Sequence, residues 1–244
     1  VIPLFFGPRE APLFGVIDPA ASPRRRRAAL LLQPGGWEYL RAHRTMRLLA
    51  TRLAAAGIDS MRFDYRATGD SAGSLSDEPS LDDWLDDAAC ALEELQSAAG
   101  VSRVSLVGLR LGARIAQLLA ARLPGVVDRL VLWDPVDPAV DADTAVDGGS
   151  QPESGDLPSL HTSPAALAAL PDATRSAAAR SALAKQAFVL LSTGYPVPPD
   201  VGAAGPSSVE MLPDTPRCWV EERDFGAGAI PLVALRRTVE LLTA

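Results

Sequence analysis

Apolar positions fall into two alternating patterns along the first half of the chain. Residues 28–33 form a continuous apolar run between four arginines and Pro34-Gly35-Gly36, as expected of a strand buried on both faces. Residues 41–56 follow with Met46, Leu49 and Leu53 at spacings of three and four and arginines opposite, a helix that Gly57 ends. The same alternation continues through a strand at 59–63, a Gly/Ser/Asp loop, and a helix at 81–99 that Ser80 can cap. A strand at 104–107 then turns at Gly108 into a helix at 113–123, which Pro124-Gly125 stops, and a strand at 129–133 follows. Ahead of all this, residues 13–17 read as a strand after a Gly7-Pro8 turn, with Phe5 and Phe6 in its hairpin partner. Strand and helix alternating in this way predict right-handed crossovers, a mostly parallel sheet and helices on both faces.

After Pro135 the pattern dissolves. Residues 141–163 are rich in Pro, Gly, Ser and Asp, residues 164–191 are alanine-rich and read as helix interrupted by Pro171, and residues 192–208 return to proline and glycine. Residues 218–222 read as a last strand and 232–242 as a closing helix with Pro231 at its start. Only about residues 207–213 are left for a further strand and helix, so the C-terminal part of the sheet is open to being shortened. The resulting division is 1–134 for the N-terminal part of the core, 135–206 for a flexible loop and helical lid insert, and 207–244 for the strand and helix that complete the core.

With 244 residues, 48% of them hydrophobic, the chain can bury one substantial core. A net charge of −7 argues against nucleic acid as a partner, since phosphate binding needs a basic face. The run Arg24 to Arg27 is the exception, read either as a solvated loop flanking a strand or as a contact for an anionic partner. No apolar run approaches a membrane span and residues 1–6 lack the pattern of a secretory leader, so a cytoplasmic location is the default expectation. Cys90 and Cys218 stand far apart without CxxC spacing, which indicates neither a disulfide framework nor a zinc site; no metal or cofactor is expected.

The strand at 104–107, then Gly108-Leu109-Arg110-Leu111-Gly112, then a helix, is the context of a GxSxG nucleophile elbow with arginine in place of serine. Arginine is protonated near neutral pH and is a poor nucleophile; its natural work is to hold a carboxylate or phosphate. Two uses are open for Arg110: anchoring an anionic ligand, or pairing with an internal acid, with Asp64, Asp134 and Glu38 as candidates. The two histidines, His43 in the first helix and His161 in the middle stretch, give no clear general base, and residues 224–228, after the last predicted strand, contain none.

With these motifs, FFGPREAPLFGV, RAHRTMRLLATRLAAAGIDSMRFDYRATGDSAG, WLDDAACALEEL, VSLVGLRLGA and VLWDPV, the chain resembles the serine-aminopeptidase-like branch of the α/β hydrolases. Within that branch it is most similar to the hydrolase-like proteins found beside exosortase or natural-product genes. The likeness covers nearly all of residues 5–136. It implies the α/β-hydrolase fold with a small helical lid, and it implies that arginine in the elbow is a subfamily feature, because members often read GLRLGA there. It also implies that Gly36, Trp37, Glu38 and Tyr39, with the amide of Leu111, sit where such folds form an oxyanion hole and ligand site, and that the loop 64–71 matches D-x-R-G-x-G-x-S. Asp134, at a strand's carboxyl end, stands where some hydrolases carry their acid; the other reading is a turn residue capping its own loop. Tyr39 or Tyr65 can offer a phenol to a carbonyl oxygen, while Ser71 and Ser74 read as turn residues.

Arg110, Asp134 and Tyr65 are thus the candidate catalytic residues, and Gly36, Trp37, Glu38, Tyr39, Arg110 and Leu111 the candidate ligand contacts. Three functions follow. A pseudohydrolase would bind a small anionic or acyl metabolite, or an acyl carrier, with its old pocket plugged by an Arg110 ion pair and an apolar patch exposed elsewhere. A lyase, isomerase or cyclase-like enzyme would use Arg110 and the oxyanion amides in a closed, ligand-sized pocket. An esterase or peptidase would need both serine and histidine relocated.

Overall fold

The computed structural model describes residues 1–74, 77–136, 169–170, 173–219 and 230–244. Its strands are β1 (Ile2–Phe6), β2 (Leu13–Asp18), β3 (Ala28–Leu32), β4 (Asp59–Phe63), β5 (Val104–Leu109), β6 (Val127–Trp133), β7 (Ala187–Leu191) and β8 (Ser208–Met211). They form one sheet in the order β1-β2-β4-β3-β5-β6-β7-β8. The opening hairpin is antiparallel, with Phe5 opposite Phe14, and β2 runs antiparallel to β4. Every other pairing is parallel. This is the α/β-hydrolase arrangement. β3, β4 and β5 are buried along their whole length, which is why β3 reads as a continuous apolar run; β4 alternates Ser60, Met61, Arg62 and Phe63 although all of it is buried.

The helices are α1 (Gly36–Ala55), α2 (Leu81–Ala99), α3 (Leu111–Arg122), α4 (Ala177–Gln186), α5 (Pro199–Ala204) and α6 (Leu232–Thr243). They cover both faces of the sheet: α1 packs beside α6, while α3 packs against α2 and α4. A capping box starts α2, with the Ser80 hydroxyl accepting from the Asp83 amide and the Asp83 carboxylate accepting from the Ser80 amide. α1 begins a turn earlier than its periodicity predicts, because Gly36 supplies the positive φ of 56° that lets the chain leave β3 and wind at once. Gly36, Trp37, Glu38 and Tyr39 therefore lie in the first turn of α1.

The arginine run has a structural use. Arg24 pairs with buried Asp59 at 2.7 Å. Arg25 and Arg27 donate to the carbonyls of Thr243 and Leu242, and Arg129 to that of Leu241, so three cations satisfy the last carbonyls of α6 at the negative end of its dipole.

The C-terminal half departs from the pattern read in the sequence. Residues 187–191, expected in the alanine-rich helix and the lid insert, are β7 and pair with β6. Five apolar residues directly after a helix, with no glycine or proline between, carry no periodicity that separates strand from helix. Residues 208–211 form β8, with Val209 and Met211 exposed and Ser208 and Glu210 half-buried. Cys218 and Trp219, expected in the last strand, lie in a buried turn instead; residues 220–222 of that segment are outside the described residues, as are 137–168 of the expected lid. The end of the sheet is short, with a six-residue α5 and a four-residue β8.

Candidate functional site

The elbow forms where the glycine spacing places it. Arg110 leaves β5 at φ 57° and ψ −116°, a conformation that costs a side-chain-bearing residue ~1–3 kcal/mol and that the surrounding packing must hold. Both flanking glycines are sterically required. A Cβ on Gly108 would lie 2.5 Å from the Ala113 amide nitrogen, and one on Gly112 would lie 2.6 Å from the Gln33 carbonyl oxygen and closer still to that of Leu32. β3, β5 and α3 thus meet backbone to backbone at this turn.

The Arg110 side chain is buried, and its Nε and Nη1 donors are engaged. Nε donates to Glu38 Oε1 at 2.9 Å, and Nη1 donates to the Tyr195 hydroxyl and to the Asp134 carbonyl at 3.5 Å. The guanidinium lies 5.2 Å from the Tyr195 ring centroid and 5.1 Å from that of Trp219, with the two rings edge to face. Of the three acids considered as partners, Glu38 takes the ion pair. Asp64 binds the Tyr39 hydroxyl at 2.8 Å and the Asp70 amide at 3.1 Å.

Asp134 is fully buried with φ 43°, and it ties the carboxyl ends of β6 and β7 together. Its Oδ1 accepts from the Ser192 amide at 2.7 Å and its Oδ2 from the Ser192 hydroxyl at 2.6 Å. Burial pushes this carboxyl up to about 7, against the two Ser192 hydrogen bonds and the charges of Arg110 and Arg217, which favour the ionised form. The expectation that Asp134 caps its own loop is corrected: the partner is Ser192, after β7.

On the other side of the elbow lies a cleft of about 300 Å³, lined by Gly36, Tyr39, Leu40, Tyr65, Thr68, Trp84 and Leu111 among others. Of the six expected ligand contacts, Gly36, Tyr39 and Leu111 line it, and Trp37 stands in the same helical turn as the first two. Glu38 and Arg110 face each other outside it. Tyr65, expected as a catalytic phenol, also lines the cleft. Its ring packs 4.8 Å from Phe63 and 6.3 Å from Trp84, and its hydroxyl is buried without a hydrogen-bond partner. Tyr39 is the phenol whose hydroxyl is held in place. Burial and the neighbouring Asp64 raise its pKa far above the ordinary value, so it stays protonated.

No histidine is brought to the elbow among the described residues. His43 is exposed one turn after Tyr39, its ring 6.0 Å from that tyrosine, and it does not line the cleft. Partial desolvation of its ring, then the Arg62 charge, lower its pKa although the residue as a whole is exposed. His161 and residues 224–228 lie outside the described residues. Ser71 is structural, donating to the Asp64 carbonyl and accepting from the Phe14 amide, and the Ser74 amide donates to Asp77. Among the described residues there is no group of three or more His, Cys, Asp or Glu side chains that could hold a metal, and no helix is long and apolar enough to cross a membrane.

Tyr195, Trp219 and Ser192, which pack around Arg110 and Asp134, belong to no motif in the sequence. The available signal was short: Ser192-Thr193-Gly194-Tyr195 is a turn directly after a five-residue apolar run.

The model of the Serine aminopeptidase, S33 family matches residues 24–146. Among solved structures, the chain is similar to Est1E from Butyrivibrio proteoclasticus with ferulic acid bound, at 15% identity over 98% of this chain and 96% of that one, with a TM-score of 0.64. It is similar to an α/β serine hydrolase without lid from Xanthomonas campestris, at 20% identity over 98% and 91%, TM-score 0.60. A soluble variant of monoglyceride lipase from Saccharomyces cerevisiae, in complex with a substrate analog, matches at 14% identity over 99% and 95%, TM-score 0.64. At such identities the likeness is one of fold.

Proposed function

The chain belongs to the serine aminopeptidase S33 family of α/β hydrolases, and from that membership we propose that it acts as a pseudohydrolase, a protein that binds a small metabolite of acyl-chain character without forming an acyl-enzyme. The observation that carries this reading is the engagement of Arg110. A guanidinium that anchored a ligand anion would keep donors open toward a cavity, whereas this one is buried against Glu38, Tyr195 and Trp219. The ion pair fills the space in which a serine nucleophile and its base would meet. The cleft beside the elbow is the room that remains for a ligand.

A lyase or isomerase acting through Arg110 would need the Glu38 pair to open in each cycle, and nothing among the described residues around it favours that opening. The test is direct. Incubation with a fluorophosphonate probe and with a short aryl ester is expected to give no labelled serine and no release of phenol above the buffer rate. Labelling of one serine in proportion to lost esterase activity would replace the binding reading with relocated hydrolytic chemistry.

A further inference from the structure

We infer that the cleft selects a neutral, mainly apolar molecule bearing one hydroxyl or N–H group, and that the oxygen of Tyr39 receives that group. The inference rests on the binding function proposed above and names its ligand class.

The polar end of the cleft is built around Tyr39. Its hydroxyl proton is committed to Asp64 Oδ1 at 2.8 Å, and the carboxylate is held in turn by the Asp70 amide on Oδ2 at 3.1 Å. That second bond depends on Gly69, at φ 53°, where a Cβ would lie 3.2 Å from the Asp64 Cβ and would collide with the carboxylate. The phenol oxygen keeps acceptor capacity after donating its only proton, so the partner it lacks is a donor. A ligand carbonyl or ether offers none and can only accept, from the Tyr65 hydroxyl or the Trp84 indole N–H, whereas a hydroxyl can do both.

Charge and lining fix the rest of the class. Arg66 is the one cation among the described lining residues, and its guanidinium is occupied by Asp83 at 2.5 Å and Asp87 at 2.7 Å. Asp77 stands at the same rim, so an anionic headgroup meets a carboxylate and no open cation there. The walls are apolar in their rings and chains, and the Tyr65 hydroxyl and the Trp84 indole N–H are buried in them without a hydrogen-bond partner. Trp84, Tyr65 and Leu111 form the interior, and Leu40, 50% exposed on α1, is an apolar residue at the cleft that a bound chain would cover. A volume of about 300 Å³ is at the small end for a ligand pocket, suited to a medium-length chain or one substituted ring.

Titration calorimetry of the full chain with 1-octanol, methyl octyl ether and octanoate tests this. Octanol is expected to bind, with the ether about fivefold weaker, the fold-change of roughly one net hydrogen bond. Octanoate is expected to be weaker than octanol. In Tyr39→Phe, octanol falls to the level of the ether while the ether is unchanged. Leu40→Glu, a change at an exposed position, weakens alcohol and ether alike and so locates them in the cleft. The alcohol–ether comparison in the unmodified protein needs no variant to fold. Equal binding of alcohol and ether overturns the role of Tyr39 and leaves the binding function standing, and octanoate binding tightest overturns the neutral class. If none of the three binds, the binding cleft itself is refuted, and the inference with it.

Discussion

Arg110 and Glu38 meet at 2.9 Å across the elbow, but their burial is unequal: the arginine side chain is 3% exposed and the glutamate side chain 27%. That asymmetry decides which half of the pair is costly to remove. In Glu38→Leu the guanidinium stays buried without its carboxylate, a loss of roughly 3 kcal/mol by the usual cost of breaking a buried pair. In Arg110→Met the glutamate can turn to water, and the loss is roughly 1–2 kcal/mol from the ion pair and the two aromatic contacts. Urea denaturation of both variants checks the order. A larger loss for Arg110→Met would mean that the guanidinium is stabilised mainly by Tyr195 and Trp219.

Reinstating serine is expected to leave the protein inactive. Arg110→Ser supplies a hydroxyl at the strained turn, yet that hydroxyl needs a base within hydrogen-bond reach. Glu38 meets guanidinium atoms several bonds farther out than a serine hydroxyl extends; of the two histidines, His43 is exposed on α1 and His161 lies outside the described residues, and residues 220–229 include none. The variant should release no burst of nitrophenol from an aryl ester and take up no fluorophosphonate. Labelling at the substituted position would show that a base is present after all.

Asp134 makes stability depend on pH. Its carboxyl lies at about 7 in the folded protein, against roughly 4 in an unfolded chain, so between those values the folded state holds a proton that the unfolded state has released. Stability therefore falls as pH rises through that window, by up to roughly 4 kcal/mol if no relaxation intervenes. Asp64, also raised by burial, acts in the same direction, whereas His43, lowered in the folded protein, acts against both as pH rises through the ordinary histidine range. Asp83 and Glu210 are held low, by the Ser80 amide and by Arg237 respectively, and lose their contributions only below about pH 4.5, outside the window. Melting temperatures between about pH 5 and about pH 8 should decline in the unmodified protein, and Asp134→Asn should flatten the curve. An unchanged slope in the variant would assign the effect to other groups.

Legibility in the sequence followed the range of the contacts. The half of the chain up to Trp133 could be read because each strand and helix carries its own periodicity and its own stops, such as Ser80 before α2 and Gly57 after α1. The elbow was legible because close backbone packing admits only glycine at 108 and 112. β7 was not, since what makes residues 187–191 a strand is their pairing with Leu130 to Trp133, far back in the chain. The site divides in the same way. Glu38 was one of three acids in reach of Arg110, but only packing decides among them. Tyr195 and Trp219 come from loops with no local pattern that ties them to position 110.

The last prediction separates the two ways in which a glycine can be required. Gly100 ends α2 at φ 66°, and a Cβ there meets nothing within 4 Å. Gly100→Ala therefore incurs only the left-handed backbone strain, about 1–2 kcal/mol. At Gly112 the added Cβ drives into the Leu32 carbonyl and lies 2.6 Å from that of Gln33, atoms of a central strand end that cannot swing aside as a side chain would. Relieving the overlap means parting α3 from β3, where Leu32 is paired in register with Gly108 of β5. Gly112→Ala should therefore lose about 3 kcal/mol or more, the upper range for overpacking a tight core, or fail to accumulate as folded protein. Urea titrations of the two alanine variants side by side measure the difference. Comparable losses would mean that the elbow has slack, and that the constraint holding Arg110 in its strained turn is weaker than the packing around it implies.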